Sequence, residues 1–253
     1  MIKGRKTMAP FAMLYALLSY AIFLGSFVYA VGFVGAVGVS KSIDGPLTDS
    51  GWIAWVVDAL VLGLFAIQHS VMARPAFKRW WTRFVPQSME RSTYVLVASL
   101  LLILIFVTWQ PIPAVIWSTQ SRNVAIVLWI LYALGWLIVL MSTFLISHFE
   151  LFGLTQAWRA LRNAPTPDGG FTVKFLYKFV RHPLMLGFVI AFWSTPLMTA
   201  GHLLFAILTT GYILVGIQLE ERDLVAHFGE TYLRYRARVP MLFPFFKGTR
   251  GSD

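Results

Sequence analysis

Apolar residues come in long unbroken runs along this chain, and polar residues are confined to the short stretches between them. The runs are Met8–Val39, Trp52–Val71, Thr93–Trp109, Val124–Ser147, Pro183–Thr199 and Gly201–Leu219. Most approach or exceed the roughly 20 residues a helix needs to span a bilayer. They show no polar face, which marks a helix surrounded by lipid or by other helices. The pattern predicts an all-α, polytopic integral membrane bundle of about six transmembrane helices. No strand is evident. The first run follows Lys3, Arg5 and Lys6 and is too long for the apolar core of a signal peptide, so it reads as a retained helix. After the last run the pattern changes. From Glu220 to Arg238, Leu224, Val225, Phe228, Tyr232 and Tyr235 recur at helical spacing. That predicts a helix outside the membrane with one aromatic face, and Gly229 marks a kink in it.

Composition agrees. Hydrophobic residues make up 58% of the chain and charged residues only 13%, too few to cover a soluble domain of 253 residues. With no cysteine, disulfides, thiolate metal sites and a cysteine nucleophile are excluded. The net charge of +10 is set by location. Every Lys and Arg except Lys41 and Arg122 lies at the N-terminus, in the second or fourth connection, or after the last run. The positive-inside rule then places both termini in the cytoplasm, most simply in a bacterial inner membrane. The basic residues face anionic lipid headgroups; nucleic acid and an obligate protein partner are not expected. Arg74–Phe84 (RPAFKRWWTRF) mixes cations and aromatics as an interfacial helix does, and Trp109, Trp117 and Trp129 read as interface anchors. The whole chain reads as one membrane domain, with a four-helix part (8–147) and a C-terminal part (148–253).

On this topology, four elements carry ionisable groups to one depth, the cytoplasmic interface. The second run ends in Gln68-His69 and the fourth in His148-Phe149-Glu150. The fifth opens with Arg181-His182-Pro183, and the sixth ends in Glu220-Glu221-Arg222. Ionisable groups at such positions are candidates for function. Asp58, near the outer end of the second run, reads as water-facing or hydrogen-bonded. No metal site is expected, because the histidines lack helical ligand spacing. A phosphate-binding glycine loop and a serine nucleophile elbow are also absent.

Arg181-His182-Pro183, Gly187, Glu220-Glu221-Arg222, Phe228-Gly229, Tyr232 and Tyr235 together resemble the C-terminal signature of the membrane methyltransferases typified by isoprenylcysteine carboxyl methyltransferase. Phospholipid N-methyltransferases and NnrU-like proteins are similar. Upstream, Phe65–Trp81, Ser147–Trp158 and Leu197–Ala206 resemble the branch that methylates a small thiol, methanethiol, to dimethyl sulfide. There are departures from the wider family. Met185 stands where the carboxyl methyltransferases carry Tyr, and Gly216 where they carry an Arg, which weakens the case for a carboxylate substrate.

The resemblance implies an S-adenosyl-L-methionine site on the cytoplasmic side. Its residues would be Tyr177, Arg181, His182, Pro183, Met185, Gly187, Glu220, Glu221, Tyr232, Tyr235 and Arg236. Arg181 and His182 stand at a helix N-terminus, which favours an anion such as the cofactor carboxylate. Gly187, one turn on, leaves room for the cofactor. Glu220 or Glu221 meets its ammonium or ribose, and Tyr232 and Tyr235 meet adenine or the sulfonium. The thiol must be deprotonated. His148 is the first candidate base, with Glu150 orienting it or acting in its place, and His69 is the rival. The alternatives are a methyltransferase acting on a lipid or prenyl-cysteine carboxylate, a nicotinamide-dependent reductase of related architecture, and a non-enzymatic NnrU-like protein or transporter.

Overall fold

A computed structural model describes residues 3–46, 51–165 and 170–244. In chain order it contains α1 (Lys3–Gly35), α2 (Gly51–Ala73), α3 (Pro75–Trp81), α4 (Gln87–Thr108), β1 (Val115–Ser118), α5 (Arg122–Ile146) and α6 (His148–Leu151). There follow α7 (Leu154–Arg162), a 3-10 turn (Phe175–Lys178), α8 (Pro183–Trp193), β2 (Leu197–Thr199), α9 (Ala200–Phe228) and α10 (Glu230–Arg238). The protein is a polytopic helical membrane protein. Among the described residues, α1 from Met8, α2, α4, α5 and α9 are long and apolar enough to cross a bilayer.

The expected fifth span is shorter than its apolar run. Helix α8 has 11 residues. At 1.5 Å per residue it is about 16 Å long, against about 30 Å of hydrocarbon. It stops because Pro196 disfavours helical geometry at Thr195. The chain then forms β2, which pairs antiparallel with β1, Val115 opposite Thr199 and Ser118 opposite Leu197. A short two-stranded sheet therefore exists where no strand was expected. The helix expected over Glu220–Arg238 is also two pieces: α9 continues through the two glutamates to Phe228, and Gly229, at φ +54°, starts α10 in a new direction.

The described chain divides into two compact units, and residues of α9 fall in both. The first unit comprises Met1–Ser118, Ser147–Pro167 and Leu197–Leu208. Small residues let its helices approach. Ala12, Ala16 and Ser19 of α1 are buried, and Ala16 packs with Leu154 and Ala157 of α7. Gly153 turns the chain between α6 and α7 at φ +88°, and a Cβ there would stand 2.7 Å from the Ser92 amide nitrogen of α4. At one end Met72, Tyr94, Val95 and Phe152 form an apolar cluster. At another Ala54, Ile112 and Ala200 pack together. Beside them Thr199 caps α9 by accepting the His202 N–H at 3.1 Å, and donates its own hydroxyl to Asp44 at 2.6 Å. Trp109 is not an interface anchor: it is fully buried and its indole donates to the Ile43 carbonyl. Asp58 is buried too, and accepts the Gln110 N–H at 2.9 Å.

The second unit comprises Thr119–Ile146, Asp168–Pro196 and Thr209–Asp253. It is built on the contact of α5 with α8. A Cβ at Gly187 would stand 2.7 Å from the Gly135 carbonyl oxygen and 2.9 Å from the Val139 nitrogen. The room expected at Gly187 for a cofactor is therefore taken by α5. Met185 is likewise committed to packing, against Ile213, Ile217 and Leu242.

Gly187→Val is expected to force α5 and α8 apart, at the roughly 1–3 kcal/mol or more that overpacking costs, and to lower the melting temperature in detergent by several degrees. Gly63→Ala, where a Cβ meets nothing within 4 Å, is expected to leave it unchanged or slightly raised. Equal melting of both variants would contradict this packing.

Candidate active site

In the second unit the polar residues gather on one carboxylate. Glu221, near the end of α9, is buried. Its Oε1 accepts from Arg181 Nε at 2.7 Å and is paired with His182 Nε2 at 3.0 Å. Arg236 Nη1 lies 4.0 Å from Oε2. Arg181 also donates through Nη1 to the carbonyls of Arg236 (3.0 Å) and Val239 (2.6 Å). The backbone N–H groups of Arg181 and His182 donate to Pro240 and Met241 at 2.9 and 3.1 Å. Pro183 begins α8 with His182 as its N-cap residue. The anion that Arg181 and His182 meet at the start of α8 is Glu221, and the last segment of chain supplies carbonyls to Arg181.

Around this node lie aromatic rings. Phe171 makes edge contacts with Tyr232 and Tyr235 at 5.8 and 5.3 Å and a tilted one with Phe228 at 5.3 Å. The Tyr235 hydroxyl donates to the Tyr177 carbonyl at 2.6 Å. Tyr232 is 1% exposed, and its hydroxyl has no partner among the described residues. All three phenols are held protonated. Burial and the Glu220 carboxylate push Tyr177 well above its usual range, burial and Glu221 do the same for Tyr232, and burial carries Tyr235 to about 12. Glu220 and Arg236 keep about half of their side chains exposed (48% and 46%). Glu220 Oε2 lies 3.6 Å from His182 Nδ1.

The other predicted residues lie in the first unit. His148 is buried at the start of α6, and its Nε2 is 2.8 Å from the Tyr20 hydroxyl of α1. Phe152 and Phe149 contact the ring edge-on at 4.8 and 5.3 Å. Burial lowers the imidazole below its usual pKa, so it is neutral at pH 7 and able to accept a proton. Glu150 does not fill the orienting role expected of it. Its carboxylate pairs with Arg159 at 3.5 Å, while His148 is hydrogen-bonded to Tyr20. His69 forms a second pair of the same kind: its Nε2 is 2.7 Å from the Tyr94 hydroxyl, and it stacks on Phe65. Arg91 sits 5.0 Å over the Tyr94 ring and donates to the Leu151 carbonyl at 2.7 Å. Sequence reasoning missed Tyr20, Tyr94, Arg91 and Phe171. Tyr20 stands inside an apolar run with no polar motif beside it. Tyr15, however, lies five residues earlier and also bonds across to another helix, donating to Thr93 of α4 at 3.1 Å; paired tyrosines in one span were the available signal.

The chain is 56% identical to methanethiol S-methyltransferase of Mycobacterium tuberculosis over 92% of its own length and 95% of that relative's. It belongs to the methanethiol S-methyltransferase family. It is also 56% identical to methanethiol S-methyltransferase 2 of Bradyrhizobium diazoefficiens, covering 95% of this chain and 93% of the relative. Nurim of Sus scrofa is more distant, at 28% identity over 86% of this chain and 91% of nurim. No protein-family model and no solved structure matches significantly. For this member of the methanethiol S-methyltransferase family, the charge node makes a direct stability prediction. Glu221→Ala leaves Arg181 buried without its anion and is expected to cost roughly 3–5 kcal/mol. Glu220→Ala, half exposed, is expected to stay within about 0.5 kcal/mol. Denaturation in mixed micelles that found the two variants alike would remove the node from this structural role.

Proposed function

We propose that the protein is an S-adenosyl-L-methionine-dependent thiol S-methyltransferase that converts methanethiol to dimethyl sulfide at the cytoplasmic face of a bacterial inner membrane. The observation that carries this reading is the near full-length similarity, above 50% identity, to relatives named for that activity. The positive-inside rule supports cytoplasmic termini. The apolar chain from Pro183 to Thr199, helix α8 followed by strand β2, is taken as the sixth crossing, which keeps both termini on one side.

The residues of the second unit fit the methyl donor. The donor brings a methyl group on a positively charged sulfur and leaves as a neutral thioether. Neutral phenols at Tyr232 and Tyr235, with Phe171, offer π faces to a cation or an adenine. The unpartnered Tyr232 hydroxyl is a buried polar group that a ligand would satisfy. Glu220 is the carboxylate with exposure to spare for an ammonium or ribose, and Arg236 the cation for a carboxylate. Arg181, His182 and Glu221 hold these groups in place, and Pro183, Met185 and Gly187 set the helix that carries Arg181 and His182. Tyr177 ties Tyr235 through its carbonyl.

His148 takes the thiol proton, since a thiol with pKa near 8.5 is mostly protonated at neutral pH. Its neutral, buried imidazole is suited to this. His69 remains the rival base, and Glu150, paired with Arg159, the alternative to His148. A small uncharged thiol needs no ionic anchor, consistent with Gly216.

Calorimetry with S-adenosyl-L-methionine in detergent, followed by headspace detection of dimethyl sulfide, tests the reading. Binding with product is expected; no binding by folded protein would overturn it, and binding without product would overturn the acceptor. Tyr232→Phe is expected to weaken cofactor binding by roughly 3- to 10-fold, the value of one hydrogen bond. His148→Ala is expected to lower kcat by roughly 100-fold or more. In the wild type the rate should rise with pH through a value below about 6.5 and then level, because His148 must be unprotonated and its pKa is lowered.

A further inference from the structure

We infer that α3 and the turn after it form a docking surface for an anionic phospholipid, with Arg79 and Arg83 on the headgroup phosphate and Trp80 and Phe84 against the acyl chains. The segment leaves span α2 at Ala73 and meets span α4 at Gln87, so it lies where hydrocarbon gives way to headgroups. Helix α3 ends at Trp81, and the turn carries its winding on. The N–H groups of Thr82, Arg83 and Phe84 donate back to the carbonyls of Lys78, Trp80 and Trp81 at 3.0, 3.2 and 3.0 Å. The Thr82 hydroxyl adds a bond to the Lys78 carbonyl at 2.8 Å.

One pair of rings is held by the protein and the next is displayed. Phe77 packs on the cluster of Met72, Tyr94, Val95 and Phe152, and Trp81 stacks on Phe77 at 5.9 Å. These two rings, four residues apart, are half-buried and fix the segment to the first unit. Trp80 and Phe84, also four apart, are 48% and 69% exposed, with ring centroids 5.5 Å from each other. Arg79 and Arg83 each precede them by one residue and are exposed as well. One residue is about 100° of helix, so the two guanidinium groups line the flank of the exposed aromatic pair.

The protein does not neutralise this flank. Between Asp58 and Glu90 the sequence has no acidic residue. Among the described residues, no carboxylate pairs with Arg79 or Arg83. Two guanidinium groups one turn apart suit the oxygens of a phosphate. Exposed aromatic rings beside cations are suited to the membrane boundary, ring inward and charge outward. A soluble anion would meet the arginines and leave Trp80 and Phe84 in water, whereas a phospholipid meets both, and this decides the occupant. A zwitterionic lipid offers the same phosphate but adds a cation, which a segment that also carries Arg74 and Lys78 repels.

The test uses full-length protein, delipidated in detergent and titrated in mixed micelles with phosphatidylglycerol or phosphatidylcholine, with bound lipid counted by native mass spectrometry. The wild type is expected to hold phosphatidylglycerol more tightly, and to melt at higher temperature with it, because a ligand of the folded state stabilises that state. Arg79→Gln with Arg83→Gln is expected to weaken phosphatidylglycerol binding roughly 25-fold, about 5-fold for each cation, and to leave phosphatidylcholine binding close to wild type. Arg234→Gln with Arg238→Gln removes the same charge from exposed positions of α10 and is expected to weaken phosphatidylglycerol far less. Trp80→Ala with Phe84→Ala is expected to weaken both lipids. All three variants change exposed side chains and are expected to melt as wild type without lipid. Equal losses in the two arginine pairs, or a wild type that holds both lipids equally, would overturn α3 as the surface. Unchanged binding after removal of the two rings, or displacement of the lipid by soluble glycerol phosphate, would overturn the phospholipid as its occupant.

Discussion

One buried carboxylate organises the C-terminal half of the chain. Glu221 receives Arg181 and His182 on a single oxygen. Through them it fixes the start of α8, the end of α9 and the chain leaving α10, because the same Arg181 also holds the carbonyls of Arg236 and Val239. Burying such a cluster costs several kcal/mol per ion, and is tolerated only when every donor finds an acceptor. Here the backbone completes the set: the carbonyls of Pro240 and Met241 take the Arg181 and His182 N–H groups. The gain is register. Three segments distant in sequence are held to one another by geometry that a Lys or a Gln could not reproduce. These charges satisfy each other, and Glu220 and Arg236 beside them keep about half of their side chains exposed.

A second constraint comes from the hydrocarbon, which leaves no water to satisfy a polar group. Several hydroxyls in the spans solve this locally by donating one turn back. Ser19 bonds to Tyr15, Ser99 to Val95 and Thr108 to Leu104. Those bonds carry no tertiary information. Against that background, the polar groups that reach across to another element stand out: Tyr15 to Thr93, Tyr20 to His148, Tyr94 to His69 and Asp58 to Gln110. With Arg91 of α4, which donates to Leu151 of α6, they help to specify how α1, α2, α4 and α6 meet.

These two kinds of contact explain what was legible in the sequence. Five long spans, the interfacial α3 and the aromatic α10 follow from hydropathy and local periodicity, which one strand of chain contains in full. The early end of α8 was also written there, as Pro196, but the apolar residues on both sides masked it. The partner of Arg181 was harder. A helix N-terminus next to cations signals an anion, and nothing local says whether that anion is a ligand or Glu221, forty residues on. Gly187 posed the same ambiguity. A glycine announces a close approach without naming what approaches, and it was the backbone of α5 at Gly135. Tyr20 gave least warning, since a tyrosine in an oily run is as good an anchor as a hydrogen-bond partner.

The chemistry proposed for this protein depends on where charge is permitted to exist. A thiolate and a sulfonium combine to neutral products, so surroundings that do not solvate ions favour the transfer once both are formed. The same surroundings oppose making the thiolate in the first place. A buried base resolves the conflict only if it is neutral at rest and has a defined nitrogen facing the proton. Burial gives His148 the first property.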